Sequence, residues 1–416
     1  MAFESSAAKM TIYESESDRL AIDGGVAVRN TPMPPWPSFD EEQVEAVAAC
    51  LRSGKVNQWT GALVREFEKA FAEKFQAPHA VAVTNGSLAI ELALRAFGIG
   101  AGDEVIVTPR SFLASASSVD LVGAKPVFAD IDYATQTIAP DTIAAVIGPR
   151  TKAIIPVHLN GRPCDIEGIM KLADAHGLVV IEDCAQSHGA MIGNKQLGSF
   201  GHAAAFSFCQ DKIMTTGGEG GMVLFQDEER WRIAWSYKDH GKSWDAVFNR
   251  EHAPGYRWVH ESIGSNWRML EMQAALGLIQ LRRLDSWTEA RTANAERIAN
   301  ALASYPCVGI TPLPAGHKHA YYRLECSVKL EMLADGWDRD RIMKALNAEG
   351  IPALVGACPE LYRELAYASH ETVAPKPNAA RLGHTSLVFL THPTLDEQAL
   401  ADTEAALHKV FGAASK

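Results

Sequence analysis

The stretch from residue 203 to residue 225 reads "AAAFSFCQDKIMTTGGEGGMVLF" and has two apolar runs on either side of a glycine-rich segment. Both runs are continuous rather than alternating, which is typical of strands buried on both faces of a sheet. A lysine in such apolar surroundings can have its pKa lowered, so that it attacks a carbonyl as the free amine. The stretch therefore predicts two core strands and makes Lys212 a candidate nucleophile. The glycines permit close approach of a ligand to the backbone, or simply form turns.

Five similar apolar runs precede this stretch, beginning at residues 80, 104, 126, 152 and 178. Helical patterns lie between several of them, such as "SLAIELALRAF" and "DIEGIMKLADAHG". The second pattern ends on a glycine, where a helix is expected to stop. Strands that alternate with helices at this spacing predict an α/β fold, in which helices cover a mainly parallel, seven-stranded sheet.

The rest of the chain predicts an arm and a second domain. Residues 1–30 are polar and weakly patterned, and the proline-rich stretch "TPMPPWPSF" follows them, so we expect an N-terminal arm there. A long helical pattern begins near "RMLEMQAALGLIQL" and suits a connector between domains. We predict a large domain over 31–285 and a smaller C-terminal α+β domain over 286–416.

Composition limits the possible functions. The chain has 416 residues, 47% of them apolar and 21% charged, as in ordinary globular proteins with a large core. Its net charge of -11 argues against binding to nucleic acid or to anionic membranes. The seven cysteines are scattered and never form C-x-x-C, which favours reduced thiols in the cytoplasm and argues against a metal site. We expect a cytoplasmic protein that lacks nucleic-acid and membrane partners.

Polar residues follow three of the apolar runs, where parallel sheets bind ligands. Gly86 and Ser87 open a helix after the first run. The free N–H groups there suit a phosphate, although an ordinary helix cap is the alternative. Asp183 ends a later run, so its carboxylate needs a cationic partner, either a ligand or a structural ion pair. Ser207 and Lys212 follow the run after that.

Other motifs give weaker signals. His188 lies near Asp183, and we interpret it as a structural residue. The glycines of "GIGAGDEVIV" precede a strand instead of linking a strand to a helix, so they do not form a dinucleotide-binding motif. The sequence contains neither a G-x-x-x-x-G-K-[ST] phosphate loop nor a G-x-S-x-G elbow. These observations argue against nucleotide hydrolysis and serine hydrolysis.

A phosphate anchor, a buried aspartate and an activated lysine, in that order along an α/β sheet, are what a pyridoxal phosphate site requires. The lysine bonds to the cofactor, the carboxylate keeps the pyridine nitrogen protonated, and the helix start holds the phosphate. The sequence therefore predicts pyridoxal 5'-phosphate as the cofactor.

The chain resembles the DegT/DnrJ/EryC1/StrS sugar aminotransferases, within fold type I of the pyridoxal phosphate enzymes, which are aspartate-aminotransferase-like. The resemblance covers roughly residues 30 to 300 and rests on stretches such as "VTNGSLAIELAL", "VIEDCAQSHGA", "GSFGHAAAFSFCQDKIMTTGGEGGMV" and "IGSNWRMLEMQAALGLIQL". One departure is an additional glycine before the glutamate of "TTGGEGG", from which we expect no change in chemistry.

The resemblance implies roles for individual residues. Lys212 takes the place of the Schiff-base lysine, and Asp183 that of the partner of the pyridinium nitrogen. The other implied cofactor contacts are the ring hydroxyl for Gln186, stacking on the ring for Phe112, the phosphate for Gly86, Ser87 and Ser207, and the phosphate of the neighbouring subunit for Asn266. A site completed by a second chain implies a homodimer with shared active sites.

The resemblance implies amino transfer from glutamate or glutamine to a keto sugar, expected to be nucleotide-linked. Related dehydratases carry histidine at the lysine position, so the presence of Lys212 favours transamination. A cyclitol ketone aminotransferase, an aminohydroxybenzoate synthase-like enzyme and a non-catalytic sensor or scaffold remain alternatives. Substrate contacts are expected in the polar loop from Lys238 to Trp258, which includes His240 and Lys242, with an ordinary solvated loop as the alternative.

Overall fold

The structure, a computed structural model, describes residues 19–368, 370 and 373–416. Residues 1–18 of the predicted arm lie outside this part of the chain. The described residues form fourteen strands: β1 (His79–Val83), β2 (Glu104–Val107), β3 (Lys125–Phe128), β4 (Thr151–Ile155), β5 (Val179–Asp183), β6 (Met191–Ile192), β7 (Lys195–Gln196), β8 (Ala203–Ser207), β9 (Gly221–Phe225), β10 (Val308–Gly309), β11 (His317–Lys318), β12 (Leu324–Val328), β13 (Ala353–Leu354) and β14 (Ser386–Phe389).

The same residues form twelve α-helices, most of which begin at a side chain that caps the first turn. They are α1 (Glu41–Ser53), α2 (Leu63–Lys74), α3 (Gly86–Ala96), α4 (Ala114–Leu121), α5 (Pro140–Ala144), α6 (Ile166–His176), α7 (Glu228–Tyr237), α8 (Trp244–Phe248), α9 (Glu271–Leu302), α10 (Arg339–Ala348), α11 (Pro377–Thr385) and α12 (Glu397–Ala414). Within the described part of the chain, no helix is both long and apolar enough to cross a membrane.

All seven apolar runs form strands of one sheet, in the order β1-β9-β8-β5-β4-β2-β3. Strand β9 is antiparallel to both of its neighbours, and the remaining pairs are parallel. The prediction of a mainly parallel, seven-stranded sheet is therefore confirmed. Because β9 runs in the opposite direction, its first residue, Gly221, pairs with the last residues of β1 and β8, Val83 and Ser207.

The strands of the large sheet have uninterrupted apolar runs because the sheet is buried on both faces. In β1, Ala82 belongs to one apolar cluster, whereas Val81 and Val83 belong to a second cluster on the opposite face. Helix α3 packs against β8 and β9, and helix α2 packs against β1. Side chains of alternate residues are therefore buried away from water on the two faces of the sheet. This burial stabilises the sheet by roughly 25 cal/mol per Å² of apolar surface buried.

The C-terminal part of the chain has its own sheet and its own apolar cluster. Strands β10, β12, β14 and β13 form an antiparallel sheet in that order. The 32-residue helix α9 connects the two parts, because Ala274 lies in the core of the large sheet and Ile298 lies in the C-terminal cluster. These features confirm the smaller C-terminal α+β unit and the connecting helix; the boundaries at residues 30 and 285 stay predictions.

Part of the predicted arm packs against the C-terminal unit. Leu20 is a buried member of the C-terminal cluster, and Val28 packs against it. The carboxylate of Glu349, in the same unit, accepts hydrogen bonds from the backbone N–H groups of Ala21 (2.8 Å) and Val28 (3.0 Å). Residues 19–30 are thus attached to the domain that is most distant from them in sequence.

Candidate active site

The carboxyl ends of β5 and β8 and the start of α3 bring three of the predicted site residues to one edge of the large sheet. Asp183 ends β5, Ser207 ends the adjacent strand β8, and Gly86 opens α3. This edge is where parallel sheets bind ligands. The structure therefore assembles the predicted phosphate anchor and the predicted ring-nitrogen partner side by side.

The start of α3 lies very close to the end of β8. Asn85 caps the helix, because its side-chain oxygen accepts a hydrogen bond from the N–H of Leu88 at 2.9 Å. A Cβ atom on Gly86 would lie 2.6 Å from the Cβ of Ser207, so only glycine allows the helix to begin here. The free N–H groups of the first turn, together with the hydroxyls of Ser87 and Ser207, suit the charge and the acceptor oxygens of a phosphate.

Asp183 is a buried carboxylate whose partners are neutral. Its side chain accepts hydrogen bonds from the hydroxyl of Ser115 (2.7 Å) and from the backbone N–H of Ala185 (3.1 Å), and the residue is 4% exposed. Burial raises the pKa of Asp183, although both hydrogen bonds and the charge of Lys212 act in the opposite direction. Because a buried carboxylate is costly without a cationic partner, Asp183 suits a ligand that carries a protonated nitrogen.

Lys212 lies in the loop after β8, and its side chain is 16% exposed. Its Nζ atom lies 3.4 Å from the hydroxyl of Tyr322 and 3.4 Å from Oδ1 of Asp211. Burial lowers the pKa of Lys212, but Tyr322 and Asp211 outweigh burial, so that the pKa is raised above its ordinary value. The prediction of a lowered pKa is therefore wrong for this structure, because it considered the apolar strand and overlooked these two polar neighbours.

Two further predicted contacts lie near this edge. Gln186 is close to Asp183 in sequence, and its side-chain oxygen accepts a hydrogen bond from the backbone N–H of Asn160 at 2.6 Å. Phe112 follows β2, and the residue is 70% exposed. An aromatic ring with a free face can stack on another ring, so Phe112 remains suited to the role that the resemblance implies.

Asn266 is exposed and lies in a segment that contacts β1. Arg268 pairs with Val83 in an isolated bridge, and Asn266 pairs in the same way with Asp239. The buried carboxylate of Asp239 accepts hydrogen bonds from Trp59 (2.7 Å), Lys242 (2.9 Å) and Arg268 (2.5 Å), and so holds the segment in place. The exposed position leaves Asn266 accessible to a second copy of the chain.

The loop from Lys238 to Trp258 is partly helical and partly buried. It contains helix α8, and Lys238 is fully buried. Nζ of Lys242 also lies 4.1 Å from the ring centroid of Trp59, while His240 is exposed. Of the two residues named as candidate substrate contacts, only His240 is both polar and exposed.

His188 lies in the core, as its structural interpretation predicts. Its ring lies between those of Phe206 and Phe208, at centroid distances of 5.3 and 5.7 Å. Among the described residues, neither ring nitrogen has a hydrogen-bond partner. Burial, with a smaller effect of nearby cations, lowers the pKa of His188 to about 3. His188 is therefore a neutral core residue.

One group of potential metal ligands occurs among the described residues. His158, Glu182 and Cys184 place their ligand atoms within 4.8 Å of one another. Their hydrogen bonds are structural, because Glu182 accepts from His158 at 2.9 Å and from three backbone N–H groups, while Nδ1 of His158 accepts from the N–H of Cys164. The group stabilises the end of β5 behind Asp183, and the absence of a metal site stays a prediction.

Sequence reasoning missed several residues of the site. Tyr322 is 110 residues from Lys212 in sequence, and no local pattern connects the two. Ser115, which donates to Asp183, and Trp36, whose indole N–H donates to the backbone oxygen of Lys212 at 2.9 Å, likewise come from distant segments. Asp211, by contrast, precedes Lys212 directly, so the sequence itself could have indicated that a carboxylate lies near the lysine.

The assembled residues fit pyridoxal phosphate. The glycine start of α3 and two hydroxyls offer donors for its phosphate, and the buried carboxylate of Asp183 offers a counter-charge for its protonated ring nitrogen. The exposed ring of Phe112 offers a stacking surface, and the partly exposed Lys212 offers an amine. When bound, the cofactor supplies an electron sink for the reacting carbon.

Comparisons with known proteins agree with this site. The DegT/DnrJ/EryC1/StrS aminotransferase family model matches residues 37–408. An aminotransferase of known structure from Psychrobacter cryohalolentis shares 52% identity and a TM-score of 0.90, covering 92% of this chain and 99% of that chain. An L-glutamine:2-deoxy-scyllo-inosose aminotransferase from Streptomyces kanamyceticus is 37% identical over 83% of this chain and 82% of its own length.

A third relative, the GDP-perosamine synthase of Caulobacter vibrioides, is 38% identical over 76% of this chain and 81% of its own length. The family and two of these three proteins are named aminotransferases, which argues against the alternative of a non-catalytic sensor or scaffold. The chain therefore belongs to the DegT/DnrJ/EryC1/StrS aminotransferase family, and it is a pyridoxal-phosphate-dependent aminotransferase of fold type I.

Proposed function

We propose that this enzyme transfers an amino group from glutamate or glutamine to the carbonyl of a nucleotide-linked keto sugar, with Lys212 as the Schiff-base lysine. The observation that carries the proposal is the placement of Asp183, at the end of β5, near Lys212, in the loop after the adjacent strand β8. The buried carboxylate of Asp183 has neutral hydrogen-bond donors, and it lies within electrostatic reach of Lys212.

Each residue of the site has a defined task in this proposal. Gly86, Ser87 and Ser207 bind the cofactor's phosphate through N–H and hydroxyl donors. Asp183 holds the proton on the ring nitrogen, and Phe112 covers the ring. Gln186 donates from its amide to the ring hydroxyl, while its oxygen stays on the N–H of Asn160.

Lys212 moves a proton as well as binding the cofactor. Once the donor amine displaces it, its Nζ takes the proton from the amino-bearing carbon of the donor and later returns a proton. The keto sugar then reacts at the same site by the reverse sequence. Because two half-reactions share one site, initial rates should follow ping-pong kinetics.

The names of the relatives support the choice of substrates. The GDP-perosamine synthase is named for a nucleotide-linked sugar, and the Streptomyces enzyme is named for L-glutamine and a cyclitol ketone. A cyclitol ketone is therefore the second candidate acceptor. The nucleotide-linked sugar carries a diphosphate and a nucleoside that the cyclitol ketone lacks. If the first candidate is the acceptor, free nucleotide should therefore inhibit the enzyme competitively, and if the second is the acceptor it should not.

We propose that two copies complete each site. Asn266 is polar, exposed and held in a defined backbone position by the buried Asp239. In the proposed dimer, Asn266 donates to the phosphate in the neighbouring chain's site across a two-fold axis.

Product analysis tests the proposed substrates. The purified enzyme is incubated with glutamate, glutamine or alanine and with a panel of nucleotide-linked keto sugars and keto cyclitols, and the products are identified by mass. We expect amination of a nucleotide-linked keto sugar with glutamate or glutamine as the donor. Amination of cyclitols alone would select the second candidate, and a dehydrated product would contradict transamination.

A further inference from the structure

Two polar groups meet at the amine of Lys212. Asp211 and Tyr322 each place an oxygen 3.4 Å from Nζ, and the Tyr322 hydroxyl also donates a hydrogen bond to Oδ2 of Asp211. The three residues therefore form a closed triangle, which we call the lysine clamp. Two of its corners are in the loop that carries Lys212, and the third, Tyr322, comes from the segment directly before β12 and packs in the core of the large sheet.

The negatively charged carboxylate of the clamp lies near two positively charged groups. Lys212 lies on one side of Asp211, and Nη2 of Arg323 lies 3.8 Å from its Oδ2 on the other. The guanidinium of Arg323 also lies 4.5 Å from the ring centroid of Tyr322. Asp211 is thus held between two cations, while its side chain remains about 50% exposed.

Tyr322 is fixed by the segment on which it lies, directly before β12. The backbone oxygen of Tyr321 accepts a hydrogen bond from the hydroxyl of Thr391 at 2.6 Å, and the N–H of Ala320 donates to the oxygen of Gly161 at 3.0 Å. The Tyr322 ring is buried, with 7% of the residue exposed. Its hydroxyl therefore reaches Lys212 from a rigid support.

The charges in the clamp favour a protonated lysine beside an ionised aspartate. Burial raises the pKa of the Asp211 carboxyl, but Lys212, Tyr322 and Arg323 outweigh it and hold that pKa below its ordinary value. Burial also raises the pKa of Tyr322, so its hydroxyl keeps its proton and can donate to Asp211. The proton of the pair thus belongs to Nζ.

We propose that Asp211 and Tyr322 are positioning residues, which hold the released Lys212 at the reacting carbon and stabilise it while it carries the abstracted proton. This inference rests on the proposed function of Lys212. In the step concerned, the donor amine has displaced Lys212 as a neutral amine; one proton then leaves the donor carbon and joins the lone pair of that Nζ, while the C–H electron pair stays on the substrate. No oxidant or reductant is consumed, and the same proton count is restored when Nζ gives a proton back.

The clamp stabilises the protonated form that Lys212 takes once it has accepted the proton. A base takes a proton from carbon more readily when its conjugate acid is stable. Free rotation of the lysine chain would also lower the fraction of time that Nζ spends near the carbon, and two oxygen contacts restrict that rotation.

The test measures Lys212 itself and then the reaction. Competitive acetylation of the full-length, cofactor-free chain at a series of pH values, followed by peptide mass spectrometry, gives the pKa of Lys212 directly. The variants are Tyr322→Phe and Asp211→Asn, which keep shape and packing, and the matched control is Tyr321→Phe, one residue away. We expect both clamp variants to lower the pKa of Lys212 and the control to leave it unchanged.

With cofactor bound, the clamp variants should lower kcat by about tenfold, while KM for the donor changes by less than about threefold. Borohydride mapping of the cofactor linkage distinguishes a failure of the proposed function from a failure of the clamp. Linkage at another lysine would contradict the proposed function, whatever the clamp variants do. Linkage at Lys212, with its pKa and kcat unchanged in both clamp variants, would overturn the clamp alone, as would an equal effect of Tyr321→Phe.

Discussion

Gly86 begins helix α3 directly against Ser207, so closely that a Cβ atom on residue 86 would lie 2.6 Å from the Ser207 Cβ. The contact joins the end of β8 to the first turn of the helix, and both sides of it present donors for a phosphate. The missing side chain at residue 86 therefore serves the proposed phosphate site as well as the start of the helix.

Replacing Gly86 with alanine should push α3 away from Ser207. We expect the Gly86→Ala variant to bind pyridoxal phosphate at least tenfold more weakly, corresponding to the loss of about 1.4 kcal/mol. The control is Gly412→Ala in α12, where none of the described residues beyond the neighbouring turns of the helix lies within 4 Å of the added Cβ, and it should raise stability by about 0.5–1 kcal/mol. Titration of both variants with cofactor measures the difference, and equal affinities would contradict the role of Gly86.

Asp183→Asn should separate cofactor binding from folding. Asparagine keeps the shape and removes a buried charge that has neutral donors, and the hydroxyls of Ser111 and Ser115, 2.8 Å apart, can reverse direction to accommodate the amide. We expect the cofactor-free variant to melt at or above the wild-type temperature near neutral pH. The increase in melting temperature on adding cofactor should be smaller, and turnover should fall by roughly a hundredfold or more.

The matched control for Asp183 is its neighbour. Glu182 is fully buried, accepts hydrogen bonds from His158 and three backbone N–H groups, and belongs to the core of the fold. Glu182→Gln should therefore lower the free energy of unfolding by about 3 kcal/mol without cofactor. If Asp183→Asn destabilises the cofactor-free protein as much as Glu182→Gln does, Asp183 is a structural residue.

Two buried histidines should make the protein sensitive to acid. Burial lowers the pKa of His188 and of His392 to about 3, against an ordinary value of 6.5. The unfolded chain binds these protons below pH 6.5 and the folded chain does not, so stability falls as the pH falls from 6.5 towards 3. Each histidine contributes a slope of up to about 1.4 kcal/mol per pH unit.

His188→Phe removes one of these titrating groups. We expect chemical denaturation at several pH values to show a shallower acid limb for this variant than for the wild type. Phe206→Leu, a change in the adjacent packing without a titrating group, should lower stability by a similar amount at every pH and keep the slope. An unchanged slope in His188→Phe would mean that the histidine is protonated in the folded state.

Mixed dimers test the position of Asn266. Asn266→Ala and Lys212→Ala chains, each impaired alone, should partly recover activity when mixed, because one of the two sites then contains both native residues. A mixture of Lys212→Ala with Asp183→Asn chains is the control and should stay inactive, since both of those residues belong to the same chain's site. Absence of recovery in a verified mixed dimer would place Asn266 within its own chain's site.

Local sequence predicted the large sheet because burial on both faces leaves a continuous apolar run, as in β8 and β9. The same pattern indicated Asp183 and Ser207, which end β5 and β8, and Gly86, which follows β1 closely. The surroundings of Lys212 could not be predicted fully. Its pKa depends on Tyr322, which a distant part of the chain brings within 3.4 Å, and contacts of this kind have no periodicity that a single sequence reveals.

The central claim is that Lys212 bonds to the cofactor, and one measurement tests it directly. The purified enzyme with pyridoxal phosphate is reduced with borohydride and digested, and the peptides are sequenced by mass spectrometry, with the exposed helix residue Lys171 as an internal comparison. The account predicts that the reduced cofactor is attached to Lys212 and that Lys171 remains unmodified. Attachment to a lysine other than Lys212, or no attachment in enzyme that turns over, would contradict it.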